Sequence, residues 1–179
     1  MMSMVLMAMG LVQPDAPDDS GAPIPDWYLE HVAYMTAEGG VWHTDNAAYQ
    51  SESEPFDTYV VDFDARFGGT GLTGELYGYE GETRSPVFWD FSGYWDPGAG
   101  TAMLVQHGWG GGMGAGTLIQ SAPDTFLAAQ DFHAPGQAPR HEVHSFRVID
   151  ALTHETVTTH VAADGSRTPG RTYVWRRQP

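Results

Sequence analysis

From Gly40 onward, apolar and polar positions alternate in short runs broken by glycine, proline and aspartate. The clearest run is TYVVDFDARF at 58–67. It places Tyr59, Val61, Phe63, Ala65 and Phe67 on one face and Asp62, Asp64 and Arg66 on the other. A period of two is the mark of a strand with one covered face. Similar runs predict strands over Leu72–Tyr79, 86–95, Thr101–Trp109, Gly116–Gln120, Thr125–Phe132, Arg140–Ile149, Glu155–Val161 and Arg171–Arg177. In 86–95, Val87, Trp89, Phe91 and Trp95 share a face. Gly68-Gly69, Asp96-Pro97-Gly98, Pro123-Asp124 and Ala163-Asp164-Gly165 supply turns. The predicted class is all-β: an antiparallel sandwich or barrel, with no βαβ alternation and no internal repeat.

A single helix precedes these strands. Asp26 is placed to N-cap a short helix over Trp27–Glu38, which Gly39-Gly40 would end. Trp27, Leu29, Val32 and Met35 would form its apolar stripe. Before it, QPDAPDDSGAPIP at 13–25 has the composition of a flexible linker. Met4–Val12 is apolar but too short to span a bilayer, and no other segment is long enough for membrane insertion. We read the start as the remnant of an export signal, with a plain disordered leader as the alternative. The expected organisation is therefore a leader and linker over 1–25 and one domain over 26–179.

Composition narrows the partners. The 179 residues carry a net charge of −15, and every basic residue is an arginine. No basic stripe exists to neutralise phosphates, which argues against nucleic acid as a partner. The absence of cysteine excludes disulfides, thiolate metal sites and cysteine nucleophiles. A monomer or homodimer is expected.

One stretch invites a nucleotide reading. QHGWGGGMGAG at 106–116 holds six glycines, and Gly110, Gly112 and Ala115 formally fit G-x-G-x-x-G/A. A dinucleotide site needs a helix to begin inside the run, with its N-terminus at the pyrophosphate. Here the following residues read as strand, turn and strand. The glycines are instead expected to form a hairpin connection or to permit close packing where a barrel bends.

Gly40-Val41-Trp42 stands where the helix meets the first strand, and the last strand carries Arg176 and Arg177. This combination resembles the lipocalin/calycin superfamily. There a Gly-x-Trp opens the first strand after a short closing helix, and a basic residue from the last strand packs over the tryptophan. The resemblance implies a single antiparallel calycin-like β-barrel of about eight to ten strands, closed structurally by Gly40, Trp42 and Arg176 or Arg177. Two branches look closest: small uncharacterised bacterial lipocalin-like proteins and, more distantly, nitrobindin-like haem barrels. The latter have a Gly-Tyr-Trp-x-Pro stretch similar to Gly93–Pro97 here, and they ligate haem iron through a histidine near the C-terminus. The final strand, RTYVWRRQ, has no histidine. Haem b is therefore the alternative, and no cofactor is the primary expectation.

Within such a barrel, Met103, Val105 and Trp109 facing inward would bring His107 inward as well. Phe146 and Val148 would do the same for Glu142 and His144. With Trp89, Phe91 and Trp109 these residues are the expected ligand-binding set: Trp89, Phe91, His107, Trp109, Glu142 and His144. The structural alternative puts His107 on a rim and makes His144 a satisfied core residue. His141 and His144 fall on opposite strand faces and cannot share an ion, so no metal site is expected. Thr156, Thr158 and His160 read as a solvent-facing polar stripe, and the Asp62/Asp64 and Glu52/Glu54 pairs as solvated charge. No G-x-S-x-G elbow supports covalent catalysis. The expected function is non-enzymatic binding or carriage of a small hydrophobic or aromatic molecule. Haem binding is one alternative, and acid–base catalysis by a cavity His or Glu is the other.

Overall fold

Residues 21–178 are described by a computed structural model. Residues 1–20, which include the predicted leader and most of the linker, lie outside the described set. The elements are α1 (Asp26–Thr36), β1 (Val41–Asp45), β2 (Thr58–Arg66), β3 (Gly71–Glu80), β4 (Thr83–Arg84), β5 (Trp89–Asp96) and β6 (Thr101–Gly108). They continue as β7 (Gly112–Ala122), β8 (Thr125–His133), β9 (Arg140–Asp150), β10 (Thr153–Val161) and β11 (Arg167–Arg177). Short 3₁₀ turns cover Ala37–Gly39, Ala47–Tyr49 and Phe67–Gly69. Every pairing is antiparallel, and β2 pairs with both β1 and β3. With β1 also paired to β11, ten strands close into a single barrel, and β4 is a small addition to the edge of β3. The seam between first and last strands is short, pairing Trp42 with Arg177 and His43 with Arg176.

The helix differs from its predicted outline in two respects. Its N-cap is Pro25, without a side-chain cap bond, and Asp26 is the first helical residue. An acidic group there still suits the positive end of the helix dipole. The buried stripe is Tyr28, Val32 and Met35, at spacings of four and three, with Tyr28 in the place expected for Leu29. This stripe seals one barrel end against Leu72, Ala102, Leu118, Phe126, Ala128 and Phe146. The end of the predicted linker is also pinned. The Ala22 carbonyl accepts a 3.0 Å bond from Trp95 Nε1, and its amide donates to the Pro97 carbonyl at 2.9 Å.

The junction of helix and barrel explains Gly-x-Trp. Gly40 has φ 71°, and a Cβ there would meet the Phe63 carbonyl oxygen at 1.9 Å, so only glycine fits. The turn aims Trp42 into the barrel, where it is 0% exposed and its Nε1 donates to the Met35 carbonyl at 2.9 Å. Arg177, directly across the β1–β11 ladder, places its guanidinium 4.3 Å from the Trp42 ring centroid. It also donates to the Tyr34 carbonyl at the helix C-terminus. Between the two candidate arginines, Arg177 makes this closure and Arg176 is exposed.

The glycine run divides by role. Gly110 and Gly111, at φ 81° and 85°, make the tight β6–β7 turn. Gly114 and Gly116 belong to β7, which begins inside the run at Gly112. A Cβ at Gly114 would meet the Phe132 ring at 2.4 Å, and one at Gly116 the Ala129 carbonyl oxygen at 1.8 Å. The bare face lets side chains of β6 and β8 meet across β7. Gln106 Nε2 donates to Gln130 Oε1 at 2.7 Å, and Gln130 Nε2 to the Leu104 carbonyl at 3.2 Å.

Losing the Arg177 cation–π contact and its charged bond to a helix carbonyl is expected to cost about 2–3 kcal/mol. Arg177→Met should therefore lower the midpoint of denaturant unfolding clearly, while Arg176→Met shifts stability by less than about 0.5 kcal/mol. Equal effects of the two substitutions would contradict the assignment of the closing residue.

Candidate functional site

The barrel is not filled. Its interior holds a cavity of about 920 Å³ that runs from α1 to the loops at the opposite end. That volume is within the range of roughly 300–1,000 Å³ typical of small-molecule sites. The helix end is sealed. At the other end Arg140, His160 and Arg171 line the cavity yet keep about half of their side-chain surface exposed (55%, 47% and 40%), which marks the mouth.

Strand alternation assigns the wall. On β5, Trp89 and Phe91 face the cavity, followed by Gly93. Phe63 of β2 lies against Phe91 at 5.9 Å between ring centroids, and Phe132 of β8 meets Trp89 edge-on at 5.9 Å. Phe56 and Phe88 stack near the mouth, 5.6 Å apart and almost parallel. With Leu76 and Leu104 these rings make one side of the cavity apolar.

The opposite side is polar, and it crosses three neighbouring strands. On β9, Glu142, His144 and Phe146 face inward, in the expected register. On β10, Thr156, Thr158 and His160 also line the cavity, correcting the expectation of a solvent-facing stripe. The registers place Thr158 opposite His144 and His160 opposite Glu142, so the two rows form one surface. His144 Nδ1 is 3.1 Å from Thr158 Oγ1. Glu142, 8% exposed, has Oε1 3.2 Å from His160 Nδ1 and 3.5 Å from Arg140 Nη1, while its Oε2 is 3.7 Å from His144 Nε2. Burial holds the His144 imidazole below its ordinary pKa, against the opposing pull of Glu142.

The polar wall continues onto β11. Arg171 pairs bidentately with Glu54, its Nη2 lying 2.6 Å from Oε2, and Tyr59 donates to the same carboxylate. Arg171 also bonds the Tyr173 hydroxyl at 3.1 Å, and Tyr173 donates to Asn46 Oδ1 at 2.7 Å. Glu54 is thus part of the cavity wall, unlike the solvated charge expected from its loop position. The bonds from Arg171, offset partly by burial, hold its carboxyl below the usual range. Tyr59 is pushed up, by burial first and then by its bond to Glu54.

Two expected ligand residues lie elsewhere. His107 is exposed on the outer face of β6, because Ala102, Leu104 and Gln106 are the inward positions of that strand. This corrects the inward placement and removes His107 from any cavity chemistry. Trp109 lies past the end of β6, 77% exposed, with its amide bonded to the Phe88 carbonyl at 2.9 Å. It borders both the cavity and a smaller recess of about 350 Å³ beside the β8–β9 loop. It is a rim residue. His141 points away and pairs with Asp131 at 2.8 Å. Among the described residues, no group of three His, Asp or Glu donors could hold a metal ion.

Two histidines of the sealed end were not among the expected residues. His31, on the cavity side of α1, lies 4.6 Å from the Phe126 ring and 5.3 Å from Phe146. His154 of β10 is 2% exposed and packed among Trp42, Phe146 and Trp175 at 4.4, 4.3 and 6.2 Å. Burial lowers His31 to about 4. It also lowers His154 to about 3, helped by the neighbouring His31 and Arg177. Both are neutral at ordinary pH.

A histidine with a depressed folded pKa stabilises the fold fully above its unfolded value near 6.5, and that stability drains away as pH falls toward the folded value. Lowering pH from about 7 to about 5 should cost the protein on the order of 1–2 kcal/mol for each of these histidines. His154→Leu should flatten the slope of unfolding free energy against pH in that window. A wild-type stability indifferent to pH between those values would contradict the burial of both rings.

No helix of the described residues is long and apolar enough to cross a membrane, which says nothing of strands. Compared with known protein families and with curated proteins, the chain matches none.

Proposed function

We propose that the protein binds and carries a small hydrophobic or aromatic molecule inside the barrel, in the manner of a calycin. The observation that carries this reading is the open interior of about 920 Å³, with rings on one side and hydrogen-bonding groups on the other. A barrel whose role was purely structural would gain from filling that space, because unfilled volume forfeits packing contacts. The lock formed by Gly40, Trp42 and Arg177 supports the calycin reading. Trp89 and Phe91 would hold the apolar body of the ligand, while Glu142 and His144 would orient it. Trp109 would meet it at the rim.

Haem b is the second reading, and one atom favours it. His144 Nε2 is buried without a hydrogen-bond partner on a residue that lines the cavity, and the ring is kept neutral by burial. A neutral imidazole with a free nitrogen is the donor that haem iron takes, and bound haem would bring redox and small-molecule ligation chemistry. His144 is the residue that would hold it.

A neutral dye separates these readings from an inert barrel. Phenylnaphthylamine should bind once per chain with enhanced, blue-shifted emission. Leu76→Trp, which fills the cavity, should weaken it at least about tenfold, whereas His107→Ala on the outer face leaves it unchanged. Dye binding that ignored Leu76→Trp would place the site elsewhere. For haem, titration with haemin should produce a Soret band that His144→Ala removes. Absence of the band in the wild type would retire that reading.

A further inference from the structure

The sealed end of the cavity has its own chemistry. Tyr28 and His31 are one turn apart on α1, so both stand over the barrel interior. His154 approaches from β10, and Phe146 touches both imidazoles. Two polar atoms here are buried without a hydrogen-bond partner, His31 Nδ1 and His154 Nδ1, while the unpartnered Tyr28 hydroxyl lies across the barrel beside Gly93 of β5. Around them are Leu72, Trp42, Phe126, Phe146 and Trp175, so the protein offers little else to pair with. Buried polar groups are nearly always paired, and orphaned atoms on two residues that line a cavity call for a guest that completes them.

The type of guest follows from charge. The cavity's carboxylates already have cationic partners: Glu54 is bound by Arg171, and Glu142 faces Arg140. Among the described residues that line the cavity no charged side chain is left unmatched, and Arg177, which does not line it, is turned to the Tyr34 carbonyl, so an ion moved into this aromatic surround would lack a partner in contact. A purely apolar guest would leave both atoms unpaired. A hydroxyl both donates and accepts, so it suits either tautomer of a neutral imidazole. Resting on the carrier reading above, we propose that this end is a recognition site for the hydroxyl of an uncharged hydroxyaromatic ligand, held by His31 and His154.

Four congeners of one ring system test this: naphthalene, naphthol, naphthoate and naphthyltrimethylammonium, each displacing phenylnaphthylamine from the intact chain at neutral pH. Naphthol should bind about tenfold tighter than naphthalene, the equivalent of one satisfied buried hydrogen bond. Both charged congeners should be weaker than naphthol. His31→Phe should reduce the naphthol advantage to about twofold or less while naphthalene is unaffected. The wild-type series decides alone if the variant fails to fold. Equal binding of naphthol and naphthalene, or a charged congener binding tightest, would overturn the proposal. So would failure of all four to displace a dye that itself binds in the cavity, and that result would leave the carrier reading intact. Failure of the dye to bind at all would remove both.

Discussion

A closed ring of ten strands is too wide for its own side chains to fill, and one end must therefore be stoppered. The contact that does this is Arg177 over Trp42. The guanidinium covers the indole and holds the last turn of α1, while the indole N–H holds the same turn from the other side. First strand, last strand and helix are joined at a single point. Tyr34 extends the join to the β9–β10 turn through bonds to the Asp150 and Thr153 carbonyls, each 3.1 Å. With one end locked this way, the remaining length of the barrel is free to stay hollow.

A hollow barrel has two apolar–polar boundaries, and this determines where its polar groups go. The wall formed by β9, β10 and β11 carries Glu142, His144, Thr158, His160 and Arg171 inward, and the wall opposite carries rings. Burying this many ionisable groups is tolerable because they are mutually paired near a wet mouth. Further in, where water is scarcer, the histidines that line the cavity are neutral, and the guanidinium of Arg177 is kept out of it against Trp42 and the Tyr34 carbonyl. The gradient from charged mouth to neutral floor is a direct consequence of the cost of desolvation.

The same property set the limit of what could be read from sequence. Alternation on β2 located the strand and its inward residues Tyr59, Val61 and Phe63, although the pattern ran past the barrel to Phe67, which is 86% exposed in a turn. Gly40, Trp42 and Arg177 were legible because their geometry is demanding. On β6, both faces are apolar: Met103 and Val105 on one, Ala102 and Leu104 on the other. Alternation there gives the spacing of the faces but not which one is inside, so the pattern turns His107 inward and leaves Gln106 without a signal. On β10 the reverse holds: a polar face, which in a filled barrel would meet solvent, lines the cavity. Glu54 and His31 carried no signal at all, because the first reaches the cavity from a loop and the second from a helix.

The pairing of charges at the mouth also bears on how a small molecule would reach the cavity. The chain as a whole carries −15, yet Glu54 and Arg171, and Glu142 and Arg140, largely cancel one another where the cavity opens. Paired charges have short-ranged fields, and salt screens what remains within about 10 Å. The entrance therefore offers no electrostatic funnel, while the surrounding surface repels anions. An uncharged molecule would enter by plain diffusion, at a rate nearly indifferent to ionic strength.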